Sequence, residues 1–60
     1  NPSGNEEVDA IKKVFADVVD LLLRKQMGAN GPIVGQLCSE AIGHALTAQM
    51  WAVKVVTFKE

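Results

Sequence analysis

The segment Gly28-Ala29-Asn30-Gly31-Pro32 decides the fold, because it is the helix-breaking cluster between two long stretches that can both be helical. Gly28 can end one helix, and Asn30 or Gly31 can cap the next, with Pro32 in a first turn that needs no amide donor. The sequence therefore predicts helices at about 4–27 and 33–58, joined by a turn at 28–32. A short connection between helices of similar length predicts an all-α, antiparallel two-helix hairpin, a single domain over residues 1–60.

The first helix has a recognisable start and an amphipathic pattern. Ser3 with Glu6 three residues later matches a capping box, and Asn5 is an alternative cap. Apolar residues then recur at intervals of three and four, which is the spacing of one helical face. That predicted face consists of Val8, Ile11, Phe15, Val18 and Leu22.

The second helix carries more apolar surface than one partner helix can cover. One stripe is small, and is formed by Ala41, Ala45, Ala48 and Ala52. A bulkier stripe, about 100° round the helix, is formed by Ile42, Leu46, Met50 and Val53. One stripe can pack on the first helix, and the other must meet a neighbouring molecule or leave an apolar patch in water.

The size of the chain makes assembly the expected source of stability. A chain of 60 residues buries only a marginal core of its own. Cys38 is the sole cysteine, so no internal disulfide can form, and its spacing to His44 matches no zinc motif. We therefore expect no metal and no cofactor, and a homo-oligomeric helical bundle.

Charge and hydropathy exclude several partners. The net charge is −1 and only three residues are aromatic, which argues against binding a nucleic-acid polymer. Lys54 and other polar residues interrupt the apolar run 41–58, so we expect no membrane segment. The polar, acidic start does not resemble a signal peptide, and a lone free cysteine fits a reducing compartment, which together predict a cytoplasmic protein.

No set of residues in the sequence predicts catalysis, so we do not expect an enzyme. Glu40 and His44 are i, i+4 neighbours on a helix, a spacing typical of a solvated or interfacial contact. Asp17 and Asp20 share a helical face but have no obvious base beside them, and are interpreted as solvated surface.

Lys54 is the candidate binding residue of the second helix. Thr47, Trp51 and Thr57 lie at i−7, i−3 and i+3, which predicts a strip with an ammonium, two hydroxyls and an indole. Such a strip suits an anionic ring compound, although a lysine that reaches from an apolar helix end to water is an equal alternative. Lys12 and Lys13 are further candidates, with a solvated helix face as the alternative.

Two parts of the chain resemble a known family. The segment 48–54, AQMWAVK, followed by Thr57, and the opening NPSG with VDAIK at 8–12 resemble the hairpin domain of phage anti-CBASS and anti-Thoeris cyclic-nucleotide sponges. The resemblance covers nearly the whole chain. It implies a phage-encoded homo-hexamer that acts in the host cytoplasm, where it sequesters cyclic di- and trinucleotide immune signals without cleaving them.

The resemblance also implies site residues. Lys12 is the closest match to a lysine of the first helix that holds dinucleotides between subunits, and Lys54 is the counterpart of a basic residue that contacts trinucleotides. Dinucleotide-binding members have an aromatic residue upstream of the first helix, whereas this chain has none before Phe15. The predicted ligand-binding residues are therefore Lys12, Trp51, Lys54 and Thr57, with Lys13 as an alternative to Lys12.

Two other functions remain open from the sequence. The first is a structural or adaptor helical oligomer whose apolar face binds a protein partner. The second, which has less support, is a hydrolase that acts on the same cyclic nucleotides.

Overall fold

The computed structural model describes residues 4–60, which form two helices that pack as an antiparallel hairpin. Helix α1 spans Glu6–Met27 and helix α2 spans Pro32–Thr57. The hairpin measures 45 × 22 × 12 Å, so it is one helix thick. The predicted all-helical hairpin is confirmed, and residues 4–60 contain no strand.

The start of α1 is fixed by Asn5, the alternative cap of the sequence analysis. Its side-chain oxygen accepts hydrogen bonds from the backbone N–H of Glu7, at 3.0 Å, and of Val8, at 3.1 Å. These are two of the amides that a helix start leaves without an intrahelical partner. The predicted capping box depends on Ser3, which lies outside the described residues.

In the turn, Gly28 and Pro32 occupy the positions predicted for them. Gly28 is the C-cap of α1, and its N–H donates to the carbonyl of Arg24 at 3.2 Å. Gly31 is the N-cap of α2 and makes no side-chain cap, while Pro32 occupies the first turn. Of the two caps considered for α2, the structure therefore uses Gly31.

The Gln26 side chain joins the two helices next to the turn. Its amide nitrogen lies 2.9 Å from the Gly35 carbonyl oxygen and 2.7 Å from the Ser39 hydroxyl oxygen. Both acceptors belong to α2, so one side chain fixes the register of the hairpin at its closed end. The 3.6-residue periodicity of α1 places Gln26 on the same face as Val8 and Phe15.

The assignment of Val18 to the predicted α1 face was wrong. Val18 is 39% exposed, and Val19 instead faces α2 together with Phe15 and Leu22. Residues four apart differ by only about 40° around a helix, whereas three apart differ by about 60° in the other direction. Both valines fit the spacing between Phe15 and Leu22, and the partial burial of Val19 shows that the contact line passes through it.

The contact face of α2 also differs from both predicted stripes. Ala41, Ala45 and Ala52 are half-buried, but Ala48 is exposed. The bulkier stripe is split in the same way, since Ile42 and Val53 are half-buried while Leu46 and Met50 are 50% and 71% exposed. The helix contact runs between the two stripes because each of them drifts around α2 along its length.

Very little of this hairpin is fully buried. Among residues 4–60 the buried apolar side chains are Val8 and Cys38. The accessible surface is 4926 Å², whereas a compact monomer of 6.4 kDa would expose about 3,800 Å². Large apolar side chains are exposed on both helices, including Val14, Leu21, Leu37, Leu46, Met50, Trp51 and Val55.

The apolar surface does not correspond to a membrane span. Within residues 4–60, neither helix is long and apolar enough to cross a bilayer.

Candidate functional site

The C-terminal end of α2 forms an open groove around Lys54. The groove has a volume of about 630 Å³ and is lined by Trp51, Lys54, Val55, Phe58 and Glu60. This volume lies within the ~300–1,000 Å³ typical of small-ligand sites. Two of the predicted site residues, Trp51 and Lys54, therefore line the same groove.

Phe58 lies beneath the Lys54 ammonium. The Lys54 Nζ atom is 5.7 Å from the centroid of the Phe58 ring, within the range of a cation–π contact. Phe58 is the C-cap of α2, with φ −71° and ψ 132°, and its N–H donates to the Lys54 carbonyl at 2.9 Å. The helix end therefore holds these two residues together through both backbone and side chain.

The positive charge of Lys54 remains available to a ligand. In the described part of the chain, the ion pairs join Lys13 to Asp17 and His44 to Glu40, and neither includes Lys54. Lys54 is exposed and shares the groove with two aromatic side chains, Phe58 and Trp51, of which Trp51 is 68% exposed. The arrangement offers a cation for an anionic group and aromatic faces for a planar ring.

The predicted threonines do not join this groove. Thr57 lies outside the groove, and its hydroxyl donates to the Val53 carbonyl at 3.0 Å. Thr47 likewise donates to the Gly43 carbonyl, at 3.1 Å. Steps of three residues rotate the side chain by about 60° each, so Thr57 and Trp51 flank Lys54 on opposite sides. Thr57 is therefore not among the residues that line the Lys54 groove, and its role in ligand binding stays a prediction.

Lys12 lies in a separate groove between the two helices. This groove has a volume of about 480 Å³, and Lys12 shares it with Leu46, Gln49, Met50 and Val53. Met50 also lines a smaller hollow of about 250 Å³ beside Trp51 and Lys54. The two predicted lysines therefore belong to neighbouring but distinct surfaces of one hairpin.

The remaining polar candidates form exposed pairs. Lys13 donates to Asp17 at 3.3 Å, so this lysine, the alternative to Lys12, is already paired. The predicted Glu40–His44 contact is present, at 3.5 Å between Oε2 and Nε2, and both side chains are largely exposed. Residues 4–60 contain no group of three or more histidine, cysteine and acidic side chains able to hold a metal ion.

The sequence did not predict three of the groove residues, Val55, Phe58 and Glu60. Phe58 follows Lys54 by four residues, a spacing that brings side chains together on a helix and that could have signalled the contact. Glu60 lies beyond the end of α2, where helical spacing no longer predicts direction.

Comparison with known proteins gives no relative for this chain. No family model, no curated protein and no solved structure matches it.

Proposed function

We propose that this protein is a phage-encoded sponge that binds cyclic di- or trinucleotide immune signals, without cleaving them, as a homo-oligomer in the host cytoplasm. The observation that carries the proposal is the groove that Lys54 lines together with Trp51 and Phe58. A cyclic nucleotide combines phosphates with planar bases, which is the pairing of groups that a cation beside aromatic faces accommodates.

The sequence resemblance supports the same site. The AQMWAVK segment that resembles the sponge family contributes Trp51 and Lys54, and both residues line the groove. Lys12 and its groove with Leu46, Met50 and Val53 form a candidate second site. Phe58, which the sequence did not predict as a site residue, adds an aromatic ring 5.7 Å from the Lys54 ammonium.

Assembly is part of the proposal because the isolated hairpin is too exposed to be the working form. Its surface exceeds that of a compact monomer by roughly 1,100 Å², which is more than the ~800 Å² that each partner buries in a standard protein interface. Leu46 and Met50 line the Lys12 groove and are strongly exposed, so a neighbouring subunit that covers them would also enclose Lys12. A hexamer is the state that the resemblance implies.

Sequestration without catalysis fits the chemistry of the groove. A lysine, a glutamate and two aromatic side chains can bind and orient a nucleotide. They do not include a nucleophile paired with a general base, which is the usual requirement for covalent cleavage of a phosphodiester. A hydrolase that acts on the same signals has no comparable support from these residues.

Titration calorimetry with a panel of cyclic di- and trinucleotides tests the proposal. Trp51 is the sole tryptophan, so quenching of its fluorescence provides a second readout at the site. We expect binding to be lost or weakened at least tenfold in Lys54→Gln and retained in Lys59→Gln, which makes the same charge change outside the groove. Absence of heat with every nucleotide, or equal affinity of the two variants, would contradict the assignment. Recovery of intact nucleotide from the heated complex is expected for a sponge.

A structural or adaptor oligomer is the second candidate, and it is favoured by the extent of exposed apolar surface. Val14, Val18 and Leu21 on α1 are exposed on a face that carries no candidate ligand site. In this alternative that face binds a protein partner, and nucleotides have no effect. Co-purification of a defined partner by the parent protein, lost in Leu21→Glu and insensitive to nucleotides, is the result that this candidate predicts.

A further inference from the structure

We propose that Glu60 makes the Lys54 groove selective for guanine over adenine, an inference that rests on the proposed nucleotide-binding function. Glu60 lines the same groove as Lys54, Trp51 and Phe58. A carboxylate is an unexpected neighbour in a site for phosphates, because like charges repel. Its presence indicates a ligand that also offers hydrogen-bond donors.

The hydrogen-bond donors of the bases determine which nucleotide suits such a carboxylate. An ionised carboxylate only accepts hydrogen bonds, and its two oxygens accept best from two parallel donors. Guanine presents adjacent donors, the ring N1–H and the 2-amino group, on its Watson–Crick edge. Adenine presents one donor, the 6-amino group, beside the lone pair of N1, which a carboxylate repels.

The groove can engage such a base at three points. Lys54 would neutralise the phosphate, and Trp51 or Phe58 would stack on the purine ring. Glu60 would then accept from its edge. Within residues 4–60 the recorded ion pairs do not include Glu60, so its carboxylate is not already neutralised by a lysine or arginine. The phosphate and the Watson–Crick edge of the base lie at opposite ends of one nucleotide. The phosphate would therefore be held away from the Glu60 carboxylate.

Cyclic di-GMP and cyclic di-AMP are suitable probes because they have the same ring and phosphates and differ only in the bases. In calorimetry with the full chain we expect cyclic di-GMP to bind about tenfold or more tightly than cyclic di-AMP. Glu60→Gln should weaken cyclic di-GMP and strengthen cyclic di-AMP, because an amide offers one acceptor and one donor and so matches adenine. Glu40→Gln, with the same charge change in the N-terminal half of α2 and outside the groove, should leave the ratio unchanged.

Three outcomes would overturn the inference. Equal affinity of the parent protein for the two probes would show that Glu60 does not read the base. An equal gain for both probes in Glu60→Gln would show that the carboxylate only repels phosphate. Both results would leave the proposed function standing, whereas no binding of either probe or of any cyclic trinucleotide would remove the function and the inference together.

Discussion

The side-chain amide of Gln26 donates to the hydroxyl of Ser39 across the hairpin, with 2.7 Å between Nε2 and Oγ. The same nitrogen donates to the Gly35 carbonyl at 2.9 Å, so one half-buried glutamine holds two groups of the opposite helix. These contacts lie at the closed end of the hairpin, while the candidate ligand groove lies at the far end of α2. Stability and binding can therefore be altered separately.

Gln26→Ala should reduce stability without affecting ligand binding. The substitution removes both contacts to α2, and a hydrogen bond of this kind contributes about 1 kcal/mol net. We expect the free energy of unfolding in urea to fall by about 1–2 kcal/mol. Gln36→Ala, at an exposed glutamine near the same turn, is the matched control and should change stability much less. Equal effects of the two substitutions would mean that the contacts of Gln26 do not hold the register.

Asn5→Ala should destabilise the start of α1. Its side chain accepts from the amides of Glu7 and Val8, and loss of an N-cap typically costs about 1 kcal/mol. Asn30→Ala, in the turn, removes the same side chain where it does not cap a helix. Urea unfolding of the two variants should show a loss of stability for Asn5→Ala alone; an unchanged midpoint would contradict the role of the Asn5 side chain as the cap.

Gly43→Ala distinguishes an exposed helix face from a packed one. A Cβ atom at Gly43 would meet nothing within 4 Å in the hairpin, so the higher helix propensity of alanine should stabilise it by about 0.5–1 kcal/mol. Gly28→Ala should not show this gain, because Gly28 is the C-cap of α1 and lies outside the helix interior where helix propensity acts. A loss of stability in Gly43→Ala would show that another subunit approaches α2 closely at this position.

Met50→Glu should disrupt assembly. Met50 is 71% exposed and lines both the Lys12 groove and the hollow beside Lys54, so a charge there would be buried wherever a second subunit covers these surfaces. Light scattering should show a homo-oligomer for the parent protein and smaller species for Met50→Glu. Ala10→Glu places the same side chain at an exposed position of α1 and should keep the parent mass. A monomeric parent protein would contradict the proposed assembly.

Phe58→Leu and Thr57→Val compare the residue found in the groove with the residue predicted from the sequence. Phe58 contributes a ring 5.7 Å from the Lys54 ammonium, so its loss should weaken nucleotide binding about threefold to fivefold. The Thr57 hydroxyl donates to Val53 and lies outside the groove, so Thr57→Val should bind as the parent does. The opposite order of affinities in calorimetry would show that Thr57, and not Phe58, contributes to ligand binding.

Local features of the sequence were sufficient to determine the hairpin. Gly28, Gly31 and Pro32 interrupt helix formation at one point, and Asn5 supplies a cap, because these effects depend on residues adjacent in the chain. The i, i+4 contact between Glu40 and His44 was predictable for the same reason. The Trp51–Lys54 pair was predictable in the same way, since Lys54 follows Trp51 by three positions on α2.

Only the tertiary structure decided how the two helices meet and what surrounds Lys54. Helical spacing alone did not distinguish Val18 from Val19 as the residue that faces α2, because both lie within about 60° of the helix contact line. The angle at which the two helices cross decides which of the two valines is covered. Phe58 is held beside Lys54 by the last helical hydrogen bond of α2, whereas Glu60 enters the groove from beyond the helix end, where helical periodicity no longer directs side chains. The sequence by itself determined two capped helices and a lysine beside a tryptophan, and the folded chain end completed the groove around them.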